Sequence, residues 1–305
     1  MPVCNILSMA TLQSTRGEFQ VPCRCLVGRS TLADLRLQSR RCSSEHASLG
    51  WHSGRWVLRD LGSSNGTTVD GRALSSRDRF VLSAGQQLRF GGDGDVWTVN
   101  DVEPPEPCAV LLGAQRYCWG HETLLVLPSS DAPEASVFMQ GTEWQIDNGD
   151  EILRPESGDL LPLQSGWWRL FLPELSSCQS NATTSNSLDM ALLELTFLVN
   201  AERVLLRVAQ GSAEVQLPCR AALQTLLALA RLRMHSKVPE PDAGWVSTAE
   251  LAEMRDSSQE KVNVDIHRLR KLFQDVGIQN AAHIIERDDA KRLRIGVQRL
   301  RELRE

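Results

Sequence analysis

Short apolar runs alternate with polar turns along the first part of the chain. Runs rich in Val, Leu and Trp are each long enough for one strand, and Gly, Ser, Asn and Asp fill the turns between them. Strands that recur at roughly 8 to 12 residues in this way are typical of a β-sandwich. The pattern predicts strands in RCLVGR, HASLGW, RWVLRD, TTVDG and QQLRFGG, all within residues 24–92.

A second strand-rich stretch covers residues 107–175, with the apolar runs TLLVLP, SVFMQ, EWQID and WWRLFLP. Its last part, residues 151–172, repeats an order also found in residues 79–99: apolar pair, glycine, apolar pair, glycine turn, Trp and an alternating strand. Two interpretations stay open, a degenerate second sandwich or unrelated strands that obey the same turn rules. Residues 176–188 are small, polar and almost uncharged, which favours a linker.

The pattern changes from residue 189 onward. Alternation over LLELTFLVNAERVLLRVAQGSAEVQL predicts three or four strands of a small antiparallel sheet. Leucines at helical spacing in residues 218–234 then predict a helix that begins at Pro218. The segments STAE (247–250) and SSQE (257–260) are both capping boxes, so a short helix, a tight turn and a second helix should follow.

Charge divides the 305 residues in the same places, although the net charge is only −5. Residues 1–101 hold 12 basic and 9 acidic side chains, residues 102–188 hold 3 and 12, residues 189–244 hold 6 and 6, and residues 245–305 hold 12 and 11. An acidic middle between more balanced ends indicates separate modules. The predicted fold class is therefore a multidomain β plus α/β protein, with domains at 1–101, 102–175 and 189–305 and the linker at 176–188.

Several classes of function find no support in the sequence. It has no run of about 18 apolar residues and no basic-then-apolar start, so we expect a cytoplasmic protein without a membrane partner. The eight cysteines lack metal-binding spacing, and we expect reduced thiols. Without the spacing of a nucleotide-binding loop, a hydrolase nucleophile or a metalloprotease, we expect no enzyme, no metal and no cofactor.

Three separated signatures near the amino end give the first resemblance to a known family. They are Gly28-Arg29, Ser43-x-x-His46 and DLGSSNGTTVDG at residues 60–71. In order and spacing they resemble the forkhead-associated (FHA) domain over residues 3–101. The resemblance implies a β-sandwich that binds phosphothreonine peptides with loops at one end, and it implies that His46 fixes a loop from beneath.

The residues of this site are carried over from the resemblance. Arg29 would supply positive charge, Ser43 would bind a phosphate oxygen and Ser44 would add a contact beside it. Ser64 and Asn65 would hold the peptide backbone. Charge-assisted hydrogen bonds from a fixed guanidinium suit a phosphate. The departure from the family is Ser44, where Arg or Asn is often found, and it would weaken affinity or shift peptide preference.

A second resemblance rests on KVNVDIHRLRKLF at residues 261–273 and on IIERDDAKRLRI at 284–295 as a hairpin. Together with the preceding sheet and helices, the region 189–297 looks like the OmpR/PhoB-type winged helix of bacterial transcription regulators. In that family the second helix of the turn enters the DNA major groove and the hairpin wing contacts the minor groove. Helical spacing places Val262, Ile266, Leu269 and Phe273 on one apolar stripe and leaves His267 and Arg268 on the opposite side.

The same resemblance supplies the expected contacts with double-stranded DNA. Val264 and Arg268 would meet base edges. The side chains expected near phosphates or on the wing are Lys261, His267, Arg270, Lys271, Arg287, Lys291, Arg292 and Arg294. Glu260 and two aspartates at the wing turn depart from the family and predict weak DNA binding by a monomer, which a homodimer or a partner would restore.

The sequence thus gives two functional hypotheses. In the first, the chain is a bacterial transcription regulator: the FHA domain binds a protein phosphorylated by a Ser/Thr kinase, or the kinase itself, and the winged helix binds DNA. In the second, the chain is a signalling adaptor that does not bind DNA and links a phosphorylated protein to another assembly through its middle and winged-helix domains.

Overall fold

A computed structural model describes residues 9–76, 78–92, 96–114, 116–149, 151–174, 188–189, 192–199, 204–211, 213–217, 220–240, 242–288 and 290–304. The chain packs as two units. One contains the residues up to Ala109 and those from Arg169 to Asn181, and the other contains Val110–Trp168 and the residues from Ala182 onward. The stretch 110–168 therefore packs with the C-terminal region. Apart from Leu188, the predicted linker lies outside the described residues.

The N-terminal unit is a β-sandwich. Its strands are β1 Thr11–Ser14, β2 Gly17–Gln20, β3 Arg24–Gly28, β4 Leu35–Arg36, β5 Ala47–His52, β6 Arg55–Asp60, β7 Thr67–Val69, β8 Arg72–Ala73, β9 Phe80–Val81, β10 Gln87–Phe90 and β11 Val96–Asp101. One sheet has the order β2-β1-β11-β10-β7-β8 and the other has the order β4-β3-β5-β6-β9. All five strands predicted between residues 24 and 92 are present.

Alternation explains the two faces of the second of these sheets. In β5 and β6, Ala47, Leu49, Trp51, Trp56 and Leu58 are buried on one face, while on the other face Ser48 and Val57 are half-buried and His52, Arg55 and Arg59 are exposed. The two strands pair antiparallel around a tight turn, with His52 opposite Arg55. One face therefore joins the sandwich core and the other faces solvent, as the period of two predicts.

Eight strands follow in the middle of the chain: β12 Cys108–Leu111, β13 Arg116–Trp119, β14 Leu124–Leu127, β15 Ala135–Gln140, β16 Glu143–Asp147, β17 Ile152–Leu153, β18 Leu160–Leu163 and β19 Gly166–Phe171. They form two four-stranded sheets, with the orders β13-β12-β19-β18 and β14-β15-β16-β17. The boundary between the two packing units passes through β12 and β19. We call these eight strands the second sheet pair.

The second sheet pair has the strand order of the N-terminal sandwich. Removing β4, β7 and β8 from the sandwich leaves the orders β2-β1-β11-β10 and β3-β5-β6-β9, which match the second sheet pair strand for strand. The segment that echoed residues 79–99 becomes β17, β18 and β19, the counterparts of β9, β10 and β11. Of the two interpretations left open by the sequence, this topology supports the degenerate second sandwich.

The C-terminal region combines short strands with three helices. These elements are β20 Leu188–Asp189, β21 Glu194–Val199, β22 Val204–Gln210, β23 Ala213–Leu217, α1 Leu223–Met234, α2 Thr248–Met254, α3 Gln259–Asp275, β24 Ile278–Gln279, β25 Ile285–Arg287, β26 Leu293–Ile295 and β27 Arg299–Arg304. A four-stranded sheet has the order β23-β22-β21-β27, and β25 and β26 form the predicted hairpin. Residues of this sheet, the three helices and the hairpin share one apolar core.

The starts of the helices test the capping predictions. Ser247 and Glu250 form the predicted capping box at the start of α2. The second prediction was wrong by one residue, because Ser258, and not Ser257, caps α3 and accepts a hydrogen bond from the amide of Lys261. Likewise α1 begins at Leu223, after the predicted start, and Pro218 lies outside the described residues. Among the described residues, no helix is both long and apolar enough to cross a membrane.

Candidate functional site

The first candidate site lies at the end of β3, where two stretches of backbone meet. The amide of Arg29 donates to the carbonyl of Ser43 at 2.9 Å, and the amide of Ser30 donates to the carbonyl of Ser44 at 3.0 Å. A Cβ at Gly28 would lie 2.1 Å from the carbonyl oxygen of Ser44. Only glycine allows this approach. The Gly-Arg dipeptide therefore fixes the loop that carries Ser43 and Ser44, which we call the serine loop, beside the exposed Arg29 side chain.

His46 holds that loop from below, as the resemblance implies. Its side chain is fully buried. The amide of Ser43 donates to Nδ1 at 3.1 Å, and Nε2 lies 3.1 Å from the carbonyl oxygen of Gly66. Nδ1 must therefore accept while Nε2 carries the proton. Burial lowers the pKa of His46, which keeps this neutral form.

Asp60 organises the glycine- and serine-rich stretch that follows β6. Its carboxylate accepts hydrogen bonds from the amides of Gly62 and Ser63 and from the hydroxyls of Ser63 and Thr67. Burial alone would raise the pKa of Asp60, but these donors outweigh it and lower the pKa. Gly62 and Gly66 both have positive φ, at 80° and 76°. The loop is therefore held in one conformation from within.

This loop is tied to the serine loop by two hydrogen bonds. The amide of Ser64 donates to the hydroxyl oxygen of Ser43 at 3.1 Å, and the side-chain amide of Asn65 donates to the carbonyl of Arg41 at 2.8 Å. The structure thus brings Arg29, Ser43, Ser64 and Asn65 to one end of the sandwich. Ser43 is half-buried and the other three side chains are exposed, as is Ser44.

The chemistry of this cluster suits an anion. A guanidinium, two serine hydroxyls and a carboxamide can all donate hydrogen bonds to phosphate oxygens or to a peptide backbone. Arg40 and Arg41 are exposed on the same loop and add positive potential. No group of three or more His, Cys, Asp or Glu side chains that would hold a metal ion occurs among the residues that the structure describes.

Replacing His46 by alanine should lower the free energy of unfolding of the N-terminal unit by about 2 kcal/mol, because the Ser43 amide and the Gly66 carbonyl would lose their buried partner. Chemical denaturation of the full chain, followed by tryptophan fluorescence, measures the change. His52→Ala is the matched control, since His52 is exposed. Equal stability of the two variants would contradict the role of His46.

The second candidate site is α3 and the hairpin, and the structure only partly agrees with the sequence there. Lys261 and Arg268 are exposed and Val264 is half-buried. The guanidinium of Arg268 donates to the backbone carbonyl of Asp131 at 2.6 Å, which lies just before β15. The expected DNA-facing side of α3 therefore contacts the second sheet pair.

The expected phosphate contacts of His267 and Arg270 are contradicted in this conformation. Both side chains are buried, at 2% and 1% exposure. The hydroxyl oxygen of Ser136 in β15 lies 2.6 Å from Nδ1 of His267. Arg270 donates to the carboxylate of Asp147 at the end of β16, at 2.9 Å, and its guanidinium lies 4.7 Å from the ring centre of Phe138. Neither side chain can reach a phosphate while these contacts exist.

Asp147 is the centre of this buried cluster. Its carboxylate also lies 3.3 Å from Nε of Arg287, so the expectation that Arg287 contacts DNA is contradicted here as well. The side chain of Arg287 is 1% exposed. Burial alone would raise the pKa of Asp147, but Arg270 and Arg287 outweigh it and hold the pKa well below its usual range. One carboxylate thus pairs with two buried arginines, and the three side chains together keep one positive charge.

The remaining predicted contacts lie on or near the hairpin. Lys291 and Arg292 are exposed, and Arg292 forms an ion pair with Asp288. Arg294 pairs with Glu286 and lies 4.4 Å from the ring centre of Trp245. Lys271 is half-buried and pairs with Asp275 one turn later on α3. Acidic partners on the hairpin offset much of the positive charge that a DNA wing needs.

The buried His267 predicts a specific pH dependence. Burial, together with Arg270 and Arg287, lowers its pKa from 6.5 to about 4. Below pH 6.5 the unfolded chain binds a proton that the folded chain does not, so the stability of this unit should fall until about pH 4, by at most about 3 kcal/mol. The free energy of unfolding should change less between pH 7 and pH 4.5 in the His267→Gln variant than in wild type. His235→Gln, at an exposed histidine, should behave like wild type; parallel behaviour of all three would refute the assignment.

The residues that receive α3 were not among those predicted from the sequence. Ser136, Phe138 and Asp147 lie on one face of the β14-β15-β16 sheet, where Leu124 pairs with Phe138 and Val126 with Ser136. The available signal was the uninterrupted apolar run of β14, whose four residues are all buried. A strand without alternation is buried on both faces.

A match to a known family falls within the N-terminal unit. Residues 25–91 match the family model of the FHA domain, so this unit contains an FHA domain. A solved FHA domain from Chlamydia trachomatis is 28% identical, with 31% of this chain and 98% of that chain covered and a TM-score of 0.27. An FHA structure from work on phosphothreonine-dependent FHA interactions is also 28% identical, covering 30% and 96%, with a TM-score of 0.27.

Mycobacterium tuberculosis EmbR, solved in complex with a low-affinity phosphopeptide, is 26% identical to this chain. That likeness covers 32% of this chain and 25% of EmbR, with a TM-score of 0.28. The family match leaves the second sheet pair and the C-terminal region outside its bounds.

Proposed function

We propose that this chain is a phosphothreonine-dependent signalling protein whose FHA domain binds a phosphorylated partner protein. The observation that carries the proposal is the convergence of Arg29, Ser43, Ser64 and Asn65 at one end of the sandwich, on loops that hydrogen-bond to each other. The buried His46 and Asp60 fix those loops before any ligand arrives. A preorganised site of donors loses little entropy on binding an anion.

Each side chain has a distinct role in this proposal. The guanidinium of Arg29 and the hydroxyl of Ser43 hold the phosphate oxygens, because the Ser43 oxygen accepts from Ser64 and leaves its proton free to donate. Ser44 adds a second hydroxyl beside the first. Ser64 and Asn65 hold the peptide backbone from the facing loop. The site binds and does not catalyse.

Arg29→Ala should weaken binding of a phosphothreonine peptide by roughly 10- to 100-fold, the value of one charge-assisted hydrogen-bonding group. Isothermal titration of the full chain against phosphothreonine and threonine versions of the same peptides measures this. Arg55→Ala is the matched control, since Arg55 is exposed at the opposite end of β6. Equal affinity for both peptide versions in wild type would end the proposal.

DNA binding by the C-terminal region is the second candidate function. It is favoured by the order of sheet, α1, capped α2, capped α3 and hairpin, which agrees with an OmpR/PhoB-type winged helix. Against it stands the burial of His267, Arg270 and Arg287. We therefore propose that the C-terminal region acts by protein docking in the described conformation, and that transcriptional regulation would require α3 to leave the second sheet pair.

Selection from random double-stranded DNA at low salt, with and without a phosphothreonine peptide, separates these candidates. Enrichment of one sequence by wild type, lost in Arg268→Ala but kept in Arg299→Ala, would establish the transcriptional regulator. Arg299 is exposed in β27, away from α3 and the hairpin in the sequence. No enrichment under either condition would leave the adaptor as the function.

A further inference from the structure

One hairpin of the N-terminal sandwich can be aligned position by position with one hairpin of the second sheet pair. In β5 and β6, His52 pairs with Arg55 across the turn, and in β15 and β16, Gln140 pairs with Glu143 across a turn of the same length. Counting from the turns, Ala47 corresponds to Ala135 and Trp56 corresponds to Trp144, so the inner face of the two hairpins carries similar residues.

The outer faces of the same hairpins differ in chemistry. Arg59 in the first hairpin corresponds to Asp147 in the second, and Gly50 corresponds to Phe138. The outer face of the first hairpin is largely polar, and Arg55, Arg59 and His52 on it are exposed. On the second, Ser136, Phe138 and Asp147 are all buried. The covered face therefore has the ring of Phe138 where the first hairpin has Gly50. It has the carboxylate of Asp147 where the first hairpin has Arg59.

We propose that the second sheet pair is a shortened FHA-like fold whose outer β14-β15-β16 face has become a binding surface for an arginine-bearing helix, and that α3 of the same chain is its occupant. Phe138, Leu124 and Val126 form an apolar cluster with Ala282, next to the end of α3. The carboxylate of Asp147 accepts a hydrogen bond from Arg270, and the hydroxyl of Ser136 contacts the ring of His267. This surface goes beyond phosphopeptide binding and does not depend on it.

Charge makes the surface selective for its occupant. Arg270 of α3 and Arg287 of the adjoining β25 would be uncompensated buried charges against an apolar face, and Asp147 is the carboxylate that pairs with both. At the edge of the surface, Gly149 has a φ of 89°, and a Cβ there would meet the side-chain nitrogen of Asn263, so a larger residue would be strained and would displace Asn263. Close packing and one buried carboxylate together favour α3 over an unrelated amphipathic helix.

Occupancy of this surface closes the side of α3 that a DNA groove would need. His267 and Arg270 face the second sheet pair, and Arg268 donates to the carbonyl of Asp131 at its rim. The apolar core of the C-terminal region contains the opposite side of α3, including Val262, Ile266 and Leu269. Helix α3 can therefore undock without losing the packing that keeps it helical.

Reaction of histidines with diethyl pyrocarbonate in the full-length chain, read by mass spectrometry, tests the docking. In wild type, His267 should react at least about tenfold more slowly than the exposed His52, because its ring is covered. Asp147→Arg, which gives the face the residue found at Arg59, should bring His267 close to the rate of His52. Arg59→Asp is the reciprocal control and should leave His267 protected.

Helical circular dichroism and the continued protection of His46 show that each variant is folded. If Asp147→Arg loses its helical signal, the Phe138→Gly variant is used instead, and its His267 should lose protection. This variant has the glycine found at Gly50 of the first hairpin and adds no charge. A His267 that reacts as fast as His52 in wild type would overturn the proposal. So would a His267 that stays protected in the folded Asp147→Arg variant, or in Phe138→Gly when that variant decides. Because the readout involves neither peptide nor DNA, failure here leaves the phosphopeptide proposal standing.

Discussion

Gly28→Val should abolish phosphothreonine-peptide binding, with an affinity loss of more than about 100-fold, or roughly 3 kcal/mol. The side chain would begin 2.1 Å from the carbonyl oxygen of Ser44, and the overlapping atom belongs to backbone that cannot rotate away. Relief of the overlap requires the loop carrying Ser43 to move outward. That movement separates Ser43 from both Arg29 and Ser64, so the phosphate would lose its donors together.

Isothermal titration of the full chain with a peptide that wild type binds measures this loss. Gly54→Ala is the matched control: a Cβ there meets nothing within 4 Å, and its turn lies at the other end of β6. The control should bind peptide as wild type does, even though its positive φ costs some stability. Wild-type affinity in Gly28→Val would show that the serine loop does not build the site.

Asp147→Ala should lower the free energy of unfolding of the second unit by about 3 to 5 kcal/mol, the usual cost of leaving buried charge unpaired. Both Arg270 and Arg287 would lose their partner. Arg270→Leu should cost less, because Arg287 would still neutralise Asp147. This ranking distinguishes a shared carboxylate from two independent ion pairs.

Denaturant unfolding followed by helical circular dichroism reports this unit, since all three described helices belong to it. Asp275→Ala is the control for an exposed ion pair, which typically contributes less than about 1 kcal/mol. A smaller loss for Asp147→Ala than for Arg270→Leu would contradict the central place of Asp147.

The convergence of Arg29, Ser43, Ser64 and Asn65 could be predicted from the sequence because its determinants are local. Glycine, serine and asparagine between two strands specify a turn through backbone conformation, and Gly28-Arg29 and Ser43-x-x-His46 act within one loop. The strands came from alternation, which a half-exposed sandwich must show. Even the role of His46 beneath the loop followed from the family resemblance, and its two hydrogen bonds confirmed it.

The helix α3 itself was predicted correctly, but the expected exposure of His267 and Arg270 was wrong. The spacing of Val262, Ile266, Leu269 and Phe273 identified the apolar stripe, and all four are buried. The burial of Arg270 could not be predicted, because a charged residue counts as exposed in any hydrophobic pattern. Its partner Asp147 is 123 residues away in sequence, and no periodicity connects the two.

Capping errors have a simpler physical cause. Ser257 and Ser258 are adjacent, and either hydroxyl can accept from an amide three residues later. The capping-box pattern chose Ser257 because Glu260 stands three residues on. The turn after α2 instead leaves Ser258 extended, with its oxygen on the amide of Lys261. Such one-residue differences depend on the turn and not on the helix.

The missing strands of the second sheet pair also set the valency of the chain. In the sandwich, the loops that we propose to bind the peptide flank β4 and precede β7, whereas β14 connects to β15, and β16 to β17, through short segments. If the proposed function holds, the described residues offer one phosphopeptide site per chain, and titration should saturate at one peptide per molecule. Avidity for a multiply phosphorylated protein would then have to come from bringing two chains together, with a gain set by the distance between their sites.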